Sequence, residues 1–419
     1  MSGTERQGGW GRASPPPSFD RLINSVRFGQ MHNTPETADL TVDVATTVGA
    51  LQALESDYER LLRTIGNTLP FALHEWHVAW CNHFLESGKG IRTQPMIYTA
   101  RNSEGRCIAI VPLILTRRAV GPLKIGTLDL LGSDPAITEI RTSIIEPSYE
   151  TRAIWAIRRR LADVGTVDWL NWCVVSDAHA FALSRCADLE IQKPLLDYVL
   201  DLPSSWEEMR GRLKRNIRES IRHCYNSLRQ DGLTCEFRIA QEPGEVKDSL
   251  ERFFALHAMR AGLQGTVAHR NHFSRPPARR FLHEVCAKLA ARGMVRLFQL
   301  VIRGDVVAMR IGFVIGDSLY LYYSGYDPRW SKHSVMTTTV VEAVKYAIGQ
   351  RLKTINLSPT RDVSKTRWGP REIALTQAVQ LAPSPLSRLA WAGFQRVNSA
   401  SPPPPWINAV LRISRRRWD

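Results

Sequence analysis

The sequence predicts an α/β protein of two tandem domains, each a mixed, mostly antiparallel sheet flanked by helices, with disordered tails at both ends. Three observations predict it. The length of 419 residues suits two or three domains of about 150 residues. The order strand, turn, strand, turn, strand, helix, strand occurs twice. Proline-rich stretches without apolar periodicity mark both ends. The boundaries read as tail 1–38, first domain 39–200, second domain 201–383, expected to be the active one, and a Pro/Arg-rich tail 384–419.

In the first copy, helical segments at Val48–Arg63 and Leu73–Leu85 precede strands at Met96–Arg101, Arg106–Thr116 and Leu123–Leu131. A helix around Tyr149–Val164 and a strand at Val167–Val174 complete it. The second copy is clearer. Helices at Trp206–Arg229, Val246–Met259 and Ala278–Ala291 lead into strands Val295–Ile302, Val306–Ile315 and Leu319–Ser324, separated by the turns Arg303-Gly304-Asp305 and Gly316-Asp317. A helix from Ser334, a natural N-cap, to Gln350 shows apolar residues at Met336, Val340, Ala343, Val344, Ala347 and Ile348. Strands at Thr354–Leu357 and Ile373–Leu381 follow. A strand, helix, strand sequence is most simply a right-handed crossover between parallel neighbours.

Composition bounds the function. Hydrophobic residues are 44% and charged residues 23%, the balance of a chain that buries a core rather than stays disordered. Fifty-five Lys plus Arg against 40 Asp plus Glu give +15, which favours anionic partners such as nucleotides, phosphorylated cofactors or lipid head groups without implying duplex DNA. The seven cysteines include no pair closer than eleven residues, so no CxxC or zinc-knuckle spacing exists and no metal site is expected. No run reaches the roughly 18 apolar residues of a membrane helix. The expectation is a cytoplasmic protein, with a peripheral contact to the inner membrane face through Trp406–Trp418, a short apolar run closed by Arg415, Arg416 and Arg417.

Some chemistry is legible from residue types alone. His257 and Arg260 share a helix face, where His257 is a candidate base and the planar fork of Arg260 suits a phosphate or carboxylate. Tyr320, Tyr322, Tyr323 and Tyr326 cluster on and after one strand, with Tyr326 in the following loop the candidate proton donor. The Trp206–Gln230 segment carries Arg215 among many cations, able to grip a nucleotide-linked sugar, a polyphosphate or RNA.

Ser324-Gly325-Tyr326-Asp327-Pro328, the helix after it, and Asn356 through Lys365-Thr366-Arg367-Trp368-Gly369-Pro370, set in the tandem plan, resemble the CelD/BcsL-type acetyltransferase family of the GNAT (N-acetyltransferase) superfamily. The doubled architecture is similar to that of Fem-type aminoacyltransferases. The resemblance covers about residues 40 to 382. It implies an acyl-CoA cofactor, most simply acetyl-CoA, and transfer of an acyl group to an amine or hydroxyl on a sugar-linked or cell-envelope (exopolysaccharide) precursor. A non-catalytic accessory role in polysaccharide biosynthesis, or a Fem-like transfer from aminoacyl-tRNA, are the alternatives. It implies an oxyanion or phosphate contact for Lys365, a cofactor cradle at Ser334, Val335 and Met336 supported by Arg329, Lys332 and His333, and an acceptor site including Trp368. Two departures stand out: Ser334-Val335-Met336 replaces the family's Ser-Pro-Gly, and Asn356 stands where an aspartate is common. An amide donates and accepts hydrogen bonds but is no base at neutral pH.

Overall fold

The computed structural model describes residues 39–399 apart from 89, 121–122, 134–136, 162–163, 165–166, 185–188, 264–268 and 383. The N-terminal tail and the Trp406–Trp418 run therefore lie outside the described residues.

Fourteen strands are described: β1 (Thr41–Ala45), β2 (Ser87–Gly88), β3 (Ile91–Arg101), β4 (Cys107–Val120), β5 (Leu123–Leu130), β6 (Ile144–Ile145), β7 (Trp169–Val174), β8 (Leu189–Asp201), β9 (Cys235–Ala240), β10 (Val295–Ile302), β11 (Asp305–Ile315), β12 (Ser318–Tyr326), β13 (Thr354–Asn356) and β14 (Arg371–Leu381). They join in one sheet of order β1-β3-β4-β5-β7-β14-β8-β13-β12-β11-β10-β9, with β2 beside β3 and β6 beside β4. The two halves mirror one another. Antiparallel β3-β4-β5 meets β7 in parallel, and antiparallel β10-β11-β12 meets β13 in parallel. Each parallel step is bridged by a helix, Glu150–Leu161 in the first half and Val335–Gly349 in the second, as the crossover rule requires.

The closing strands are exchanged. β8 follows β7 in sequence yet pairs with β13, while β14 follows β13 yet pairs with β7; β8 and β14 then pair with each other at the centre of the sheet. The halves are thus sewn together by main-chain hydrogen bonds. A shared core adds to this: Trp76, on the His74–Phe84 helix, meets Phe281, on the Pro276–Ala291 helix, edge to face at 5.1 Å, a geometry aromatic pairs favour. His83 and Asn82 both bond Glu284 across the same seam.

Three local expectations change. The long basic helix breaks into Trp206–Arg212 and Arg215–Gln230 because Leu213 turns extended and buries its side chain in the core. Ser334 is no side-chain cap: it sits in the left-handed region (φ 52°), and its carbonyl, rather than its hydroxyl, receives Thr337 N–H at 2.8 Å. Beyond residue 383, where only a tail was expected, the chain forms a further helix, Pro385–Ser399, whose buried Trp391 packs on Trp169 at 5.3 Å.

Gly325 on β12 lies against the Pro243–Ala261 helix so closely that an added Cβ would stand 2.6 Å from Leu256 C and 2.8 Å from His257 Cα. Both are backbone atoms, which no rotamer change relieves. Gly325→Ala is expected to destabilise the fold by about 3 kcal/mol, seen as a lower urea midpoint with unchanged m.

Candidate functional site

The parallel pairing of β12 with β13 lasts for three residues, Ser318↔Thr354, Leu319↔Ile355 and Tyr320↔Asn356. After Asn356 the chain turns to β8 instead, with Leu357 N–H bonding Tyr198 O and Thr360 N–H bonding Leu196 O. From Leu321 onward β12 therefore loses its neighbour on that side and a gap opens. The first turns of the Val335–Gly349 helix roof it, and a cleft of about 610 Å³ runs through it, lined among others by Tyr323, Met336, Thr337, Ser358, Lys365 and Trp368.

The corresponding gap of the first half is filled. Beyond Asp129↔Asn171, the chain at Arg141–Thr142 enters beside β7: Val174 bridges Thr142 in parallel and donates its N–H to Arg141 O. The same connector is anchored at Thr138, which accepts from Trp76 Nε1 at 3.0 Å, and at Ile137 O, which accepts from Tyr322 OH. It then projects Thr138, Glu139 and Arg141 into the cleft of the second half.

Glu139 is the residue that sequence reasoning missed. Tyr320 OH donates to its Oε2 at 2.6 Å. Enclosure pushes the carboxyl up to about 7, although Tyr320, Lys365 and Arg310 each pull the other way. A carboxyl poised near neutrality suits a general base.

Lys365 lies opposite. Its Nζ faces the 358–360 loop, donating to Ser358 Oγ at 2.9 Å and Pro359 O at 2.5 Å, with Ser358 O at 3.2 Å and Thr360 O at 3.4 Å. Ser358 and Thr360 have φ of 69° and 73°, a conformation costly for non-glycine residues, so the ammonium clamps a strained turn. Burial brings its pKa down to about 8 against the pull of Glu139 and Asp362.

With this geometry in view, residues 215–365 match the family described as Acetyltransferase (GNAT) domain. The second half of the chain carries a GNAT domain. That match assigns residues 215–365 to an acetyltransferase-type domain. The solved structure of FemX is similar to it at TM-score 0.54 and 10% identity, over 79% of this chain and 98% of that one. A tandem GNAT protein from the clavulanic acid biosynthesis pathway aligns at TM-score 0.43 and 10% identity, over 82% and 100%. The C-terminal domain of a putative lysylphosphatidylglycerol synthetase from Agrobacterium fabrum aligns at TM-score 0.46 and 12% identity, over 82% and 96%. No curated protein matches.

Of the residues expected at the site, Lys365, Arg260, Met336 and Trp368 line the GNAT-domain cleft. His257 and Asn356 stand just behind it. His257 Nδ1–H donates to Ser324 O at 2.9 Å and its Nε2 accepts from His272 N–H at 3.4 Å, so both ring nitrogens tie elements together and burial keeps the ring neutral. Asn356 donates to Asp197 Oδ2 at 2.7 Å and accepts from Ser358 N–H at 2.7 Å. A carboxylate thus stands beside position 356 after all, contributed by β8, and an aspartate at 356 would face it.

The remaining candidates are outside the cleft lining. Tyr326 ends β12 and packs with Trp330 against Val335 and Leu228. Arg329, 81% exposed, pairs with Asp327, and Lys332 and His333 pair with Asp231. Val335 is buried, and Ser334 turns the chain into the helix. Arg215 is 87% exposed and pairs with Glu219 one helical turn on. Besides Glu139, the cleft gathers Arg310, Asp362, His269 and His272, none of which sequence reasoning singled out, and Arg367, which it named only as part of the Lys365–Pro370 motif. Arg310 did leave a signal: it is the lone cation inside the apolar run Val306–Ile315.

Among the described residues, no cluster of His, Cys, Asp and Glu is arranged to hold a metal ion, and no helix is long and apolar enough to cross a membrane.

Proposed function

We propose that the protein is an acyl-CoA-dependent acyltransferase that works in the gap between β12 and β13 and acylates an amine or hydroxyl. The observation that carries this reading is the parting of the parallel strands beneath a helix N-terminus, open in the GNAT domain and filled in the first half.

The cleft suits an anionic, elongated cofactor. The N–H groups of Val335 and Met336 begin the helix, where no intrahelical acceptor exists, and a 15-residue helix directs its positive end there. Ser334 adopts in the left-handed region the turn that a glycine would make. Arg367 donates to Thr337 Oγ1 at 2.8 Å while its buried Nε has no partner among the described residues. These groups would hold the pyrophosphate. Acyl-CoA supplies an activated thioester; the chain supplies position and proton transfer. Glu139, deprotonated, would take the proton that the acceptor nitrogen or oxygen loses as its new bond to the acyl carbon forms and the carbon–sulfur bond breaks, and the departing CoA thiolate would be protonated on release. Lys365 fixes the 358–360 wall and keeps positive charge beside Glu139. The first half is in this reading both scaffold and donor of the base.

The CelD/BcsL-type resemblance extends the reading to acceptors that are sugar-linked or cell-envelope precursors, reached from the cytoplasmic side.

Met336→Glu tests the cofactor site cleanly, because an acid in the first helical turn stabilises the helix while repelling a pyrophosphate. The expected result is an acetyl-CoA affinity lowered about tenfold or more by calorimetry, in a variant that still melts cooperatively although Met336 also packs beside Val335. Equal affinity in both proteins would move the cofactor elsewhere.

A further inference from the structure

Five cationic side chains line the cleft: Arg141, Arg260, Arg310, Lys365 and Arg367. Two carboxylates, Glu139 and Asp362, face them. Arg141 stands beside Asp129, Lys365 is committed to the 358–360 loop and Arg367 belongs to the helix N-terminus described above. The excess charge is therefore concentrated on Arg260 and Arg310.

Both arginines stand beside Ser324. Arg310 on β11 stands opposite Ser324 in the β11–β12 register, and Arg260, from the Pro243–Ala261 helix, donates to Ser324 Oγ at 2.5 Å. Arg260 also bonds the ring of His269 at 2.9 Å, and Arg310 Nη2 makes only a long bond among the described residues, to Leu321 O at 3.4 Å. Among the described residues, the Nε atoms of both arginines and Nδ1 of neighbouring His272 are buried without partners. Burial, and for Arg310 the nearby Arg260 charge, brings both guanidinium groups below their ordinary range, Arg310 to about 10. Two half-buried like charges with unused donors are costly unless an anion joins them.

Resting on the acyltransferase reading, we propose that Arg260 and Arg310 form a recognition site for an anionic group, a phosphate or carboxylate, carried by the acceptor. The planar forks of two arginines, one from a strand and one from a helix, fit the several oxygens of such a group. The site lies on the β11 side of the cleft, whereas the cofactor cradle lies at the Val335–Gly349 helix. The acceptor is thus an amine or alcohol that bears its own negative charge, with Glu139 facing the same cleft to receive the proton.

The test is calorimetric titration of phenyl phosphate and, separately, of benzoate into the full chain, with and without acetyl-CoA, for wild type, Arg310→Gln and Arg310→Lys. Saturable binding of at least one probe to wild type, weakened about tenfold in Arg310→Gln and also in the fork-less Arg310→Lys, supports the site. Acetyl-CoA affinity should be unchanged in both variants. A preference for phenyl phosphate marks a phosphorylated acceptor, and a preference for benzoate a carboxylate-bearing one. Failure of both probes to saturate wild type at millimolar concentration overturns the proposal, as does binding to folded Arg310 variants as tight as to wild type. Arg310→Lys keeps the charge and so remains informative if Arg310→Gln does not fold. The titrations without acetyl-CoA decide the anion site even if the cofactor assignment fails.

Discussion

Glu139→Gln is expected to lower kcat for acyl transfer by about 10²–10⁴-fold, with acetyl-CoA affinity unchanged. The amide is isosteric and still accepts the Tyr320 hydroxyl proton that Oε2 now receives, so the packing of the connector survives. What disappears is the proton acceptor. Because the carboxyl is pushed up to about 7, the wild-type rate on a hydroxyl acceptor, which does not itself titrate in this range, should rise with pH through neutrality and then level, and the variant should lack that limb. Stability moves the opposite way. Glu139 has its pKa raised on folding, from an ordinary 4.5 to about 7, so the folded chain holds a proton that the unfolded chain releases in that interval. The stabilisation it brings is complete below pH 4.5 and is lost as the pH rises through about 7. Above neutrality Glu139→Gln should therefore be at least as stable to urea as wild type while remaining nearly inactive. A structural role alone would give the reverse pairing.

Lys365→Met should cost both stability and activity. Its ammonium is the donor that converges on Ser358 and Pro359, and its removal leaves those acceptors without a charged partner and the left-handed Ser358 and Thr360 without their clamp. A charge-assisted bond of this kind is worth about 1.5–3 kcal/mol. The loop is a wall of the cleft, and a displacement of about 1 Å at a reacting geometry costs about 100-fold in rate. The expected result is a drop in kcat/KM of about that size, together with faster amide exchange at residues 357–361. Lys365→Met with a normal exchange pattern and a lost rate would instead assign the ammonium directly to the reacting carbonyl.

The repeated meander was legible because its strands are long apolar runs punctuated by glycine turns, as at Arg303-Gly304-Asp305. The crossover helix declared itself through its 3.6-residue spacing. β8 did not, since Lys193-Pro194 interrupts it and proline argues against a central strand. The structure places that interruption at an irregularity in the β8–β14 ladder, where the register slips between Leu195 and Gln192, so the missing proline N–H costs no regular bond. The exchange of β8 and β14 leaves no local trace, because it depends on which strands meet and not on what either is made of.

The site divides in the same way. Lys365, Arg260, Met336 and Trp368 were reachable because they sit in or near recognisable stretches of one half. Glu139 was not. It belongs to an aperiodic connector in the other half, and only the filling of the first gap brings it across. Arg329, Lys332 and His333 looked like a cofactor cradle from sequence proximity to the helix, but Arg329 pairs with the buried Asp327, and Lys332 and the buried His333 pair with Asp231, outside the cleft lining.

The most direct measurement of the central claim is a crystal structure of the full chain with acetyl-CoA. The account predicts the pyrophosphate at Val335 and Met336 beside Arg367, and the thioester between β12 and β13 on the Glu139 side of the gap. Acetyl-CoA seated between β5 and β7, or absent from crystals grown at saturating concentration, would contradict it.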